Sequence, residues 1–200
     1  MNLSTLLLSA FCAMSLPSIG EASEGAWTLE ARIGMARTTR TITGLPSGVD
    51  LDASSAAAPY AGIGVWTSSL LPVELGSGLF VFSRGYESTE RGSDYVIVYS
   101  GSEPYVSIPL LTRYGFGASG LFLIAGGAVD VHPFGAGEDA RRRAILSAQV
   151  GVGLRLGRAT FDARYVADVT DAVSLETDRG TIAESYDGFL VTLGFDLLSR

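Results

Sequence analysis

The sequence predicts an all-β protein, a single eight-stranded antiparallel up-and-down transmembrane β-barrel. Three observations carry that prediction. Apolar and other residues alternate with period two along segments of roughly ten residues, the mark of a strand with two unlike faces. The connections between these segments are alternately long and short, as in barrels that cross an outer membrane. The chain is also strongly apolar, at 47% hydrophobic and 18% charged residues with a mean hydropathy of +0.31, yet it contains no convincing membrane helix. Such a helix needs about 20 apolar residues, and the longest charge-free stretch, 53–73, is broken by Pro59, Pro72, Gly62, Gly64 and four serines.

Before the first strand, residues 6–16 (LLLSAFCAMSL) form an apolar run followed by Gly20 and Ala22. This pattern predicts a secretory signal peptide over 1–22, cleaved after Ala22, although no Lys or Arg precedes the run. One barrel domain is then expected over 23–200. Cys12, the single cysteine, lies in the apolar run behind Phe11, which excludes a disulfide framework and disfavours lipidation.

The first strand is expected over 27–35, where Trp27, Leu29, Ala31, Ile33 and Met35 oppose Thr28, Glu30, Arg32 and Gly34. Weaker alternation marks 57–66, 72–83, 105–114 and 120–131. The sixth strand, 144–156, is the clearest: Leu146, Ala148, Val150, Val152 and Leu154 oppose Ser147, Gln149, Gly151, Gly153 and Arg155. Residues 161–169 and 189–197 repeat the pattern, giving eight strands. Long connections are predicted at 38–55, 84–104, 132–143 and 170–185, short ones at 67–71, 115–119 and 157–158. The even count returns the last strand to the side on which the first begins, the periplasm if the long loops lie outside.

The direction of the alternation separates two classes of barrel. A soluble, secreted or periplasmic lipocalin-like binder of a small lipophilic ligand turns its apolar face inward. Here the polar face carries Glu30, Arg32, Glu74, Arg113, Arg155, Asp162, Arg164 and Asp196, four acids and four bases among many of the 25 glycines. Balanced charge and small residues suit a crowded lumen, so these eight residues are predicted to form an interior charge network and the apolar face to meet lipid. Eight strands leave a lumen that side chains nearly fill, and little or no conductance is expected. Trp27, Tyr60, Trp66, Tyr105, Tyr114, Phe116 and Tyr186 lie near strand ends and are expected in the aromatic girdles at the membrane interfaces.

The run Tyr105-Val106-Ser107-Ile108-Pro109-Leu110-Leu111-Thr112-Arg113-Tyr114 is similar to the Y-L-E-I-P-L-L-L-K-Y strand of the PorT-like outer-membrane β-barrel domain family. The preceding segment with Arg84-Gly85-Tyr86, and the later Gly126-Gly127, Gly151-Val152-Gly153 and Phe161-Asp162-Ala163-Arg164-Tyr165, also fit. The resemblance implies an OmpA- or OmpX-like monomeric barrel in the bacterial outer membrane, with lipid, lipopolysaccharide and the barrel-insertion machinery as partners. Its motifs describe strands and carry no chemistry. Many such barrels end on an aromatic residue, whereas here Asp196-Leu197-Leu198-Ser199-Arg200 follow Phe195.

Candidate chemistry is sparse. His132 is the only histidine; a lipid A-modifying acyl-transfer role is the least favoured reading, because Pro133-Phe134 follow it with no serine in strand register. One histidine also excludes a histidine-based metal cluster, and Asp50 and Asp52 lack calcium-loop spacing. No catalytic residue, metal or cofactor is expected. Arg141, Arg142 and Arg143 are candidates for lipopolysaccharide phosphates, which guanidinium groups bind bidentately. The net charge of −7 opposes nucleic-acid binding. The reading is therefore non-enzymatic: envelope integrity, adhesion or surface recognition through the outer loops.

Overall fold

The computed structural model describes residues 26–43, 50–70, 73–91, 96–133, 144–177 and 180–200. The expected signal peptide over 1–22 and the Arg141–143 triplet lie outside them. The strands are β1 (Ala26–Thr43), β2 (Asp50–Leu70), β3 (Val73–Arg91), β4 (Val96–Gly115), β5 (Leu121–Val131), β6 (Ala144–Leu156), β7 (Ala159–Asp168), β8 (Val173–Thr177) and β9 (Gly180–Ser199). Each pairs antiparallel with its neighbour in one sheet, and β1 pairs with β9 to close the ring. Along one side of β9, β7 pairs near Asp187 to Phe195 and β8 pairs from Gly180 to Glu184. Thus β8 continues the line of β7, and nine strands make eight staves.

Closure removes every sheet edge along the paired staves. At the seam the Trp27 amide donates to the Arg200 carbonyl at 2.8 Å, and the Arg200 amide donates back at 2.9 Å. One bulge sits here: Leu29 pairs with Leu198 and Glu30 with Asp196, so Leu197 is the extra residue. The turns at this end are short. Gly157 and Gly120 adopt φ of 61° and 72°, a left-handed backbone that glycine enters without a Cβ penalty.

At the opposite end the staves run further than apolar alternation predicts. The expected long connections 38–55, 84–104 and 170–185 are largely strand: β1 continues to Thr43, β3 to Arg91, and β8 and β9 form a hairpin. Asp50 and Asp52, expected in a loop, begin β2. The reason is solvent. Segments such as Thr38-Thr39-Arg40-Thr41 have strand geometry but carry polar side chains on both faces, so hydrophobicity does not alternate there.

Inward and outward faces follow the alternation. Ile33, Val150, Val191 and Phe189 are exposed on the outside, while Glu30, Arg32, Arg113, Asp162 and Arg164 are buried within. The aromatic expectation is corrected in part. Trp27, Tyr114 and Phe116 are exposed, but Tyr60, Trp66, Tyr105 and Tyr186 are buried side chains of the lumen. Nearness to a strand end does not choose a face; parity does, and Trp66 and Tyr60 share theirs with Gly62 and Gly64. Trp66 packs with Leu111, Phe122 and Ile124, and Tyr60 with Ala36, Phe80 and Leu190. The interior is therefore partly apolar.

Candidate functional site

The candidate site is the lumen, where β1, β3, β4, β6 and β7 bring seven of the eight sequence-selected charges into one continuous chain. Arg155 donates both terminal nitrogens to Glu74, at 2.8 and 3.0 Å, a bidentate geometry. Glu74 lies 3.6 Å from Arg113, which donates to Glu30 at 3.1 Å. Glu30 pairs with Arg32, and Arg32 with Asp162. Asp162 accepts Arg164 Nε at 2.8 Å, and Arg164 donates to Gln149 at 2.8 Å. The chain crosses the lumen as alternating cation and anion, so each buried charge has a counter-charge. Asp196 faces the same end but forms no ion pair among the described residues; its backbone carbonyl accepts from Arg158 at 2.7 Å.

Aromatic rings and glycines fit around this chain. The Arg113 guanidinium carbon is 3.4 Å from the Trp66 ring centroid and 5.0 Å from that of Phe122, a cation–π arrangement. A Cβ at Gly76 would overlap the Trp66 ring, one at Gly153 the Phe122 ring, and one at Gly194 the Glu30 carboxylate. These glycines make room for large side chains reaching across from neighbouring staves.

A second layer, towards the long-stave end, was not selected from the sequence. Arg84 donates to Asp168 at 2.5 Å and to Asp130 at 2.8 Å. Its guanidinium lies 4.8 Å from the Tyr105 ring centroid, 5.1 Å from Tyr186 and 5.6 Å from Phe82. Above it Arg40 pairs with Glu184 at 2.5 Å, and Tyr186 donates to Glu184. The signal was weak. Arg84 falls where a loop was expected, and Asp130 follows Phe122, Ile124 and Ala128 on an inward face that is otherwise apolar. His132 directly follows β5 and packs edge-on against Tyr105, with centroids 5.3 Å apart. Among the described residues no group of three or more His, Cys, Asp or Glu side chains could hold a metal ion.

Among the described residues the lumen holds small spaces of about 10 Å³ beside Trp66 and about 40 Å³ between the layers. A site for a drug-sized ligand occupies about 300–1,000 Å³. The larger space, about 450 Å³, is an open groove on the outer wall among Phe116, Leu121, Leu123, Phe161 and Val191.

No family model matches the chain, so the PorT-like resemblance rests on its strand motifs alone. No curated protein matches either. Among solved structures the chain is similar to the outer membrane protein OprG of Pseudomonas aeruginosa, at 11% identity and a TM-score of 0.47, covering 86% of this chain and 96% of that one. It is also similar to Ail, the attachment invasion locus protein of Yersinia pestis, at 15% identity and a TM-score of 0.39, covering 84% and 99%. A third likeness is to the outer membrane protease OmpT of Escherichia coli, at 10% identity and a TM-score of 0.36, covering 92% and 100%. The eight-stave ring itself rests on the pairing register described above.

Proposed function

We propose that the chain is a non-enzymatic bacterial outer-membrane barrel whose lumen is a plug and whose work is done at the long-stave end, in surface recognition, adhesion or envelope integrity. The observation that carries this reading is the inversion of polarity. A continuous ion-pair chain and an aromatic-caged arginine fill the inside, while the outside is a belt of exposed Ile, Leu, Val and Phe side chains. Soluble proteins rarely expose contiguous apolar surface on that scale, whereas bilayer hydrocarbon requires it. The same inversion opposes the lipocalin-like alternative, which needs an apolar cavity. The Tyr105–Tyr114 motif supports a PorT-like relationship within the barrel class.

Orientation follows from the end assignment: short turns in the periplasm, long staves outside. Arg37 is exposed on the outward face just above Met35, with Nε donating to Ser55 at 2.7 Å, and Tyr165 donates to Asp187 at 2.8 Å at a similar level. These polar groups define the upper limit of the apolar belt. Arg37, with the Arg141–143 triplet, is suited to lipopolysaccharide phosphates. Insertion by the barrel machinery and a monomeric state belong to the same proposal. Purified protein in planar bilayers is expected to give little or no conductance and to fractionate with outer membranes; large stable channels, or a detergent-free soluble monomer, would overturn the reading.

A further inference from the structure

The groove of about 450 Å³ lies on the lipid-facing wall, and the strand register shows how it forms. Leu123 pairs with Val152, Val152 with Ala163 and Ala163 with Val191, so these outward side chains make one row across β5, β6, β7 and β9. The next row towards the short turns holds Leu121, Leu154 and Phe161. Ala163 is the smallest side chain in either row, and its outward neighbours along β7 are Phe161 and Tyr165. The floor beneath is backbone, because Phe122, Asp162 and Thr192 turn inward and are buried and Gly153 has no side chain. The groove is oblique. Leu121 and Leu123 open β5 directly after the short turn 117–119, whereas Val191 lies near the middle of β9. Exposed Tyr114 and Phe116, with ring centroids 5.4 Å apart, stand at the low end, the level at which aromatic residues gather at a membrane interface.

We propose that this groove binds an acyl chain of a diacyl phospholipid of the periplasmic leaflet, with the headgroup region beside Tyr114 and Phe116 and the chain running across β5, β6 and β7 towards Val191. Position selects the occupant. The groove is continuous with the bilayer-facing belt, and its open side meets hydrocarbon. Its size suits an organic ligand, since small-molecule sites occupy about 300–1,000 Å³. A chain that leaves bulk lipid for an apolar groove makes no hydrophobic gain, so packing must hold it, as packing holds helices together in membranes. The groove supplies that packing, because a chain lying in it has partner atoms on its floor and both sides. The choice of leaflet rests on the orientation proposed above, with the short turns in the periplasm; with the ends reversed, the same groove faces lipid A.

The test uses the full barrel, extracted from outer membranes in a mild detergent and, in a second sample, returned to vesicles of phosphatidylethanolamine and phosphatidylglycerol. Native mass spectrometry of the released barrel is expected to show a single retained phospholipid in both. Ala163→Phe fills the groove from an outward position and is expected to lose that lipid. Ile63→Phe, outward on β2, is expected to keep it, and the gel shift of unheated samples shows that both variants are folded. Photoreactive phospholipids in the vesicles give a readout independent of either variant: a group near the headgroup is expected to label Tyr114, Phe116 or Leu121, and one at the chain end Ala163 or Val191. No retained lipid, equal retention in all three proteins, or label spread evenly around the outer wall overturns the proposal and leaves the outer-membrane assignment standing. A dimer in place of the lipid-bound monomer also overturns it, giving the groove to a second copy. Lipopolysaccharide as the molecule retained from the starting membranes overturns both the leaflet and the orientation on which it rests.

Discussion

Replacing Gly76 by alanine tests whether the lumen is a close-packed plug. A Cβ there falls on Cε3, Cδ2 and Cζ3 of the Trp66 ring, and the ring is already held by the Arg113 guanidinium 3.4 Å from its centroid. Overpacking a well-filled interior costs about 1–3 kcal/mol, while replacing a strand glycine by alanine contributes about 0.5–1 kcal/mol in the opposite sense. Gly76→Ala is therefore expected to destabilise the barrel by about 1–2 kcal/mol. Gly64 is the control on the neighbouring stave: a Cβ there meets the Ser77 carbonyl oxygen at 3.3 Å and Phe80 Cζ at 3.4 Å, so Gly64→Ala should be close to neutral. Trp66→Leu removes the obstructing ring, and Gly76→Ala in that background should lose most of its cost, a coupling of about 1–2 kcal/mol between touching residues. Urea unfolding in lipid vesicles, followed by circular dichroism and by gel mobility of unheated samples, measures each term without relying on Trp66 fluorescence. Equal costs for Gly76→Ala with and without Trp66, or equal costs at Gly64 and Gly76, would refute the packing argument.

Glu30→Gln should destabilise folding by about 3–5 kcal/mol, because it leaves Arg32 and Arg113 short of their shared carboxylate in a buried network; the same urea titration reads it, and a change within experimental scatter would count against the ion-pair chain. Val150→Arg, at an outward position 57% exposed, should cost about 2–4 kcal/mol if it faces the bilayer midplane, whereas Asp187→Arg near the outer limit of the belt should cost about 0–1 kcal/mol. Equal penalties in vesicles would contradict the depth assignment. Arg158→Ala removes the donors that hold the Asp196 and Leu197 carbonyls at 2.7 and 3.0 Å beside the closing seam. A loss of about 1 kcal/mol is expected, seen as a lower temperature for the folded-to-unfolded gel shift, and an unchanged temperature would deny it a role in closure.

The faces of β6, β7 and β9 were legible because each has an apolar side and a polar or small side. From Leu146 to Leu156 apolar residues alternate with Ser147, Gln149, Gly151, Gly153 and Arg155, and the structure turns those side chains as the parity requires. β5 was harder: Phe122, Ile124 and Ala128 point inward while Leu121, Leu123 and Val129 point outward, so both faces are apolar and the buried Asp130 gave no contrast. Trp66 and Tyr60 were legible in principle through their parity with Gly62 and Gly64, but their nearness to strand ends suggested a lipid interface. The extended staves above the belt were obscured for the opposite reason, since both of their sides are polar.

Local sequence by itself determined the strand class, the number of staves, the inversion of polarity and the inward charges of the lower layer, because a pleated strand fixes the side of each residue from its parity alone. Which acid meets which base was decided only by closure of the barrel. Arg32 meets Asp162, Arg113 meets Glu30 and Arg155 meets Glu74 across separations of 130, 83 and 81 residues, and Arg84 finds Asp130 and Asp168 from a segment that reads as loop. Those pairings depend on the height at which each stave crosses its neighbours, a property of the whole ring's stagger that no single strand encodes.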